Sequence, residues 1–253
     1  ALEPGQICAV HPSLLLHNYD GGDPTEPETG DILPLDELQA LGLDSDGPNW
    51  GVMHASIEAY PIDSWDAGVG TAFFFGDMVA FNSGVEGLDV VTERVEVTLN
   101  QGVNVRSGPS VDASALLPLL KGTVVKATGR SEDGAWLRIQ QRSGDTGWIA
   151  ADLVDVDMDA LAVVTADDPA PAPLYLPYAS FSFNAALNDA RCENAPSSGV
   201  LLQTPAESSA LDFMINGVRL QISGTVYLQA EAEAAMIVSV LAGRARVTAE
   251  LVN

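Results

Sequence analysis

Apolar residues in this chain recur mostly at every second position, in short runs separated by Gly, Pro, Asn and Asp. A period of two puts alternate side chains on one face of a strand, so the pattern predicts β-structure with little helix. Residues 6–17 (QICAVHPSLLLH) read as one or two short strands, and residues 18–31 (NYDGGDPTEPETGD) as a polar loop. Leu33, Leu35, Leu38 and Leu41 predict a short helix or turn after Pro34, and Asp46-Gly47-Pro48 predicts a turn. Residues 50–59 (WGVMHASIEA) alternate as a strand, with Trp50, Val52 and Ile57 as core candidates. Residues 71–81 (TAFFFGDMVAF) predict an aromatic strand pair or a bulged strand broken at Gly76; the run from Phe73 to Phe75 reads as core.

Towards the C-terminus, Tyr178, Phe181 and Phe183 suit a β surface, and residues 199–203 (GVLLQ) form another short strand. Residues 211–215 and 218–222 flank Asn216-Gly217. That dipeptide predicts a hairpin, because both central residues of its tight turn need positive φ. Residues 225–230, 235–241 and 244–251 supply three more strands, the last two joined by a turn at Ala242-Gly243.

The centre of the chain has a denser rhythm. Val103 and Val105 alternate, Gly108-Pro109 turns the chain, and Val124 and Val125 open a second strand. Trp136, Leu137 and Ile139 follow, then a hairpin through Ser143-Gly144-Asp145 to Trp148 and Ile149. Five or more short strands in about 60 residues suit a small barrel. The run VNVRSGPS at 103–110, Lys121-Gly122-Thr123-Val124, Asp133-Gly134 before Trp136, and Gly147-Trp148-Ile149 before Leu153 resemble a bacterial SH3 (SH3b) domain at about 97–157. The resemblance implies a module of extracellular or periplasmic proteins that accompanies cell-wall enzymes and binds peptidoglycan peptides or acts as a spacer. It also implies a ligand groove near the RSGPS turn and the GxW strand, using Arg106, Ser107, Trp136 and Trp148; core packing of the two tryptophans remains the alternative.

The flanking runs, GDILPLDELQALGL to TAFFFGDMVAF and FSFNAALNDARCENAPSSGVLLQTP to MINGVRLQISGTVYLQAEAEAAMIVSVLAGRARVTA, resemble β-rich units of secreted surface proteins from filamentous Chloroflexota-type bacteria. The closing segment is also similar to FecR-like β repeats. The fold class expected is therefore all-β: a small SH3-like barrel, residues 94–157, inserted into a discontinuous β-sandwich or barrel-like domain built from residues 1–93 and 175–253. Residues 158–174, with DDPAPAP at 167–173, read as a semi-rigid linker.

Charge sharpens these boundaries. The 253 residues hold 11 Lys and Arg against 35 Asp and Glu, a net charge of −24. Residues 1–93 carry 17 acids and no base, residues 94–157 eight acids and seven bases, and residues 158–253 ten acids and four bases. So acidic a chain is no partner for nucleic acid or anionic membranes, and a mean hydropathy of +0.14 is too high for a disordered acidic chain. No run reaches the roughly 18–20 apolar residues of a transmembrane span. A chain that starts at Ala1 is expected to be a processed, secreted protein. Cys8 and Cys192, outside any zinc-like spacing, are then expected to pair. Such a disulfide would contribute about 5 kcal/mol on a chain-entropy model; two separate thiols are the alternative.

Chemistry is sparse. His11, His17 and His54 belong to no HExxH motif, and GxSxG is absent. Asp155, Asp157 and Asp159 open like a calcium loop, but Ala160 and Ala166 stand where glycine and glutamate are needed. Asp20, Asp23, Glu26 and Glu28 crowd one turn, a candidate calcium site beside the plainer reading of a solvated loop. The function expected is that of a non-enzymatic, secreted structural or adhesive cell-surface protein that self-assembles into a fibre or matrix through exposed strand edges. Its partners would be other copies of itself or cell-wall material. Two alternatives stay open: a protein that binds peptidoglycan peptide or glycan, and a cell-wall hydrolase or its accessory.

Overall fold

A computed structural model describes residues 2–10, 14–18, 23–43, 51–84, 94–171, 173–185, 197–205, 209–230 and 235–249. In chain order the strands are β1 (Gln6–Ala9), β2 (Leu14–Asn18), β3 (Ile32–Pro34), β4 (Leu38–Leu43), β5 (Gly51–Ala59), β6 (Gly68–Gly76) and β7 (Met78–Asn82). They continue with β8 (Val95–Thr98), β9 (Val103–Arg106), β10 (Ala115–Leu119), β11 (Val124–Arg130), β12 (Trp136–Gln140) and β13 (Thr146–Ala150). The last five are β14 (Ser180–Ala185), β15 (Gly199–Gln203), β16 (Leu211–Ile215), β17 (Val218–Gln229) and β18 (Ile237–Ala249). Helix among the described residues is limited to three single 3-10 turns. The fold is all-β, with a smaller SH3-like unit, and divides into two compact units: Ala1–Ile62, Asp66–Glu86 and Tyr175–Asn253 in the first, Asp63–Trp65 and Gly87–Leu174 in the second.

The first unit is organised by β17. One edge of β17 pairs with β18 along its length. Its other edge pairs with β16 at residues 218–222 and with β15 at residues 225–228. From β16 the sheet runs through β14, β7 and β4 to β2; from β15 it runs through β6, β5 and β1 to β3. Both arms line one core, with Leu16, Leu41, Phe181 and Phe183 from the first and Ile7, Met53, Ile57 and Phe74 from the second in the same buried cluster.

The arms part at Gly224 (φ 130°), which lies opposite Gly243 (φ 75°). A Cβ on Gly243 would stand 2.8 Å from the Gly224 Cα, so side chains here would block the bend. Thr204 satisfies the disturbed backbone: its Oγ1 donates to the Ile222 carbonyl and accepts from the Gly224 N–H, both at 3.0 Å. The three strands expected after residue 225 are thus the end of β17 and the single strand β18, and Ala242-Gly243 is a bend within β18 rather than a turn. The Asn216-Gly217 hairpin forms as its sequence predicts, with φ of 50° and 73°.

Other expectations are corrected by strand parity. On β5 the core side holds Met53, Ala55, Ile57 and Ala59, which leaves Val52 on the opposite side. Of the three consecutive phenylalanines only Phe74 enters the core; Phe73 stacks on His54 and Phe75 on Tyr227 across the other face. The helix expected near Leu38 is one 3-10 turn, Leu35–Glu37, followed directly by β4. The predicted strand pair at 71–81 diverges at Gly76, because β6 pairs with β5 and β15 while β7 pairs with β4 and β14. Trp50 and Asp46-Gly47-Pro48 lie outside the described residues.

These ladders join the two outer blocks without a covalent tie. The expected Cys8–Cys192 disulfide is overturned: Cys8 is a free thiol. Ile7 and Ala9 point into the core, so Cys8 faces away from it, half-buried; Cys192 lies outside the described residues. A polar clamp works in place of the bond. The buried Asn82 Oδ1 accepts from the N–H groups of Tyr178 (3.0 Å) and Gly84 (3.1 Å), and Nδ2 donates to the Leu38 carbonyl (3.3 Å).

In the second unit six strands run in the order β10-β9-β13-β12-β11-β8 around Val97, Val103, Val105, Val125, Leu137, Ile139 and Ile149. The segment read as a semi-rigid linker, residues 158–174, packs within this unit. Leu161 enters its core, Val163 bridges to Arg130, and residues 168–171 receive hydrogen bonds from β12. Trp65 also belongs to this unit, with Lys126 Nζ 5.2 Å and Arg142 Cζ 5.5 Å from its ring, two cation–π contacts.

Two outcomes test this account. Asn82→Ala is expected to destabilise the first unit by about 2 kcal/mol in urea denaturation, since it strands the buried Tyr178 N–H, while the Gly84 N–H keeps the Ser180 carbonyl. Cys8 is expected to be alkylated without prior reduction, as read by mass spectrometry of its tryptic peptide.

Candidate functional site

Parity sorts the side chains of the SH3-like unit. On β12, Leu137 and Ile139 point inward, which sends Trp136, Arg138 and Gln140 to the outer face. Trp148 on β13 lies directly opposite Arg138 on one side and Arg106 on the other, so it joins that face. Arg106, Trp136 and Trp148, singled out from the sequence, therefore share one surface, and neither tryptophan belongs to the barrel core.

That surface is covered. Arg138 Nη1 donates to the carbonyls of Asp168 (3.4 Å) and Pro169 (3.3 Å), and Gln140 Nε2 donates to that of Pro171 (2.8 Å). Residues 165–171 thus form a strap along β12, and Trp148 is left only 3% exposed. Trp136 is half-buried, while Arg106 is committed to structure, its Nη1 donating to the Ala113 carbonyl at 2.7 Å across the RSGPS turn. Of the four residues only Ser107 is exposed.

Electrostatics hold the strap. Asp168 Oδ2 accepts from the Thr165 N–H (2.6 Å) and hydroxyl (3.0 Å). These bonds, with a lesser contribution from the Arg138 charge, hold its carboxyl below the ordinary aspartate value. Burial lowers the Arg138 guanidinium and the Asp168 charge partly opposes it. Asp133 is also held low, by the Ser131 hydroxyl and the Ala135 N–H, in the turn before Trp136.

The open surface lies beside the predicted groove. β10 is an edge strand, paired only with β9 among the described residues. Leu120 (77% exposed) and Val111 (71%) are the two most exposed large apolar residues of the described chain, and Leu116 lies between them. Ser107 closes the loop above, its N–H donating to the Ser114 carbonyl at 3.0 Å. The sequence signal for this stripe was LLPLL at 116–120, where apolar residues occupy both strand faces.

Elsewhere little converges. Asp23, Glu26 and Glu28 are exposed, and Asp20 lies outside the described residues. Among the described residues no three His, Cys, Asp or Glu side chains are grouped to hold a metal. His17 is exposed on β2, and His11 lies outside the described residues. Cys8 and His54 stand opposite each other on β1 and β5, but the Cys8 thiol contacts the Ala9 carbonyl and the imidazole is stacked on Phe73 at 4.7 Å. Among the described residues no helix is long and apolar enough to cross a membrane.

An all-β unit of six short strands with an RSGPS turn defines an SH3-like module. Residues 101–155 match the bacterial SH3 domain family, and they form such a domain here. Curated proteins give no match to the chain. The comparisons lend no support to the Chloroflexota-type and FecR-like resemblances of the flanking blocks.

The strap responds to acid with a defined sign. Because the folded state holds Asp168 low, its contribution is full above the ordinary aspartate range (about 3.9) and is lost as pH falls through the depressed value. The Thr165 amide, corrected for intrinsic exchange, is expected to stay protected at pH 6 and to open at strongly acidic pH; Asp168→Ala, which has no acceptor, should remove the protection at pH 6.

Proposed function

We propose that the protein acts outside the cytoplasm, without catalysis of its own, and binds bacterial cell-wall material through its SH3 domain. The observation that carries this reading is the family match at residues 101–155, a module often linked to peptidoglycan binding. The site supports it chemically. An extended wall peptide can lie along the open edge of β10, where Pro118 has no N–H to offer and side-chain contacts carry the recognition. Val111, Leu116 and Leu120 offer apolar contact to its methyl groups, Ser107 a hydroxyl, and the neighbouring exposed Lys121 a positive charge for a carboxylate. The tryptophan face beneath the strap takes no part in this reading.

Retention of the full chain on purified insoluble cell walls tests the proposal. Leu116→Asp/Leu120→Asp is expected to reduce retention at least tenfold while leaving the melting temperature near that of the parent, because both side chains are exposed. Equal retention of parent and variant, or release of soluble muropeptides by the parent, would count against it.

A further inference from the structure

The outermost strand of the first unit is unusually open. β18 is thirteen residues long, against a common strand length of about 5–6. Among the described residues it pairs only with β17, so its outer edge presents a row of free backbone N–H and C=O groups. Ile237, Val240, Leu241 and Val247 are all exposed along it. Natural edges are blunted by brevity, proline, lysine or covering segments. Residues 237–249 contain no proline, lysine or acid; the strand has a bulge and two arginines, Arg244 and Arg246.

Those arginines identify the partner. Two residues apart, they share one face, opposite Ser223 and Gln221. Neither makes an ion pair or side-chain hydrogen bond with a described residue, whereas Arg219 on the adjoining strand is held by Asp212 through bonds of 2.8 and 2.9 Å. They are a local positive charge on a chain of net −24. Overlap of the arginine-bearing ends of two β18 strands would set like charges opposite each other, which destabilises a strand pair. An acidic edge is the complementary acceptor, and the same unit carries one. β3 pairs only with β1 among the described strands. Around it Asp23, Glu26, Glu28, Asp31, Asp36 and Glu37 are all exposed, with the apolar Ile32 between them.

We propose that β18 of one copy docks against the acidic rim of β3, residues 31–37, of a second copy of this chain. Arg244 and Arg246 face the carboxylates of Asp31, Asp36 and Glu37, the exposed aliphatic side chains leave water, and main-chain pairing is confined to the short edge of β3, where Pro34 has no N–H to offer. The contact is head-to-tail, so each copy keeps one free donor and one free acceptor edge and the assembly grows as an open chain. The proposal does not rest on wall binding: Leu116→Asp/Leu120→Asp should assemble as the parent does.

Light scattering of the full chain over a hundredfold range of concentration tests it. The weight-average mass of the parent should rise with concentration and fall as salt is raised, since screening shortens to about 3 Å at 1 M. Arg244→Glu/Arg246→Glu and Asp31→Lys/Asp36→Lys/Glu37→Lys should each stay at the monomer mass, and their mixture should recover assembly because each supplies the edge the other lacks. Circular dichroism and thermal melting verify that both variants fold, and Arg244→Gln/Arg246→Gln serves as a milder second probe. A parent that is monomeric throughout, variants that assemble as well as the parent, or a mixture that stays monomeric would each overturn the proposal.

Discussion

One backbone strand holds the first unit together. Among the described strands β17 alone forms a ladder with both arms, which isolated bridges at Leu16–Thr25 and Pro61–Leu211 also link, and it changes partner from β16 to β15 within a few residues. The geometry allows this only where two glycines face each other and Thr204 supplies the missing hydrogen-bond partners. Much else follows from that bend: the arms separate, their inner faces close on the same aromatic and aliphatic side chains, and β18 is carried outward along the remaining edge. A strand that served only one arm would leave the two arms joined by isolated bridges alone.

The second unit shows a related economy. Its first strand, β8, and its closing strap meet the same strand, β11, through the Val95–Ala127 and Val163–Arg130 pairs. Those two points lie three residues apart, about 10 Å along a strand, so the unit begins and ends in one place. This suits a module set into a continuous chain, and it explains why the charge pattern changes so abruptly at both boundaries. The near-neutral SH3 domain has its own core and its own polar strap, while the acidic surface belongs to the block that precedes it.

Legibility in the sequence followed locality. The Asn216-Gly217 hairpin, the all-β character and the SH3 motif depend on residues close in the chain, and all three could be read. The divergence of β6 and β7, the sharing of β17 and the packing of residues 165–171 depend on pairings between distant segments, which alternation cannot specify. Parity was readable but was misapplied at Val52, which cannot share a strand face with Ile57, an odd number of positions away. The cysteine pair illustrates a different limit: a count of two gives no distance, and only strand placement shows that Cys8 faces away from the core. Of the residues singled out for a groove, Ser107 is exposed and Trp148 is buried, and nothing local announces that residues 168–171 bond to Arg138 and Gln140 on the same face.

The insertion also orders the way the chain acquires its structure. β6 cannot complete its ladder until β15 exists, and Phe75 pairs with Gly199 across the whole intervening module. During synthesis β6 and β7 are made well before their partners β15 and β14, which leaves one edge of each open. The SH3 domain is complete earlier than the unit that contains it, and its folding draws the ends of a long connection together. The entropic penalty for closing a loop grows with the length of flexible chain inside it. The module is thus a folding aid by position alone: once compact, it shortens the effective path between the two halves of the host unit.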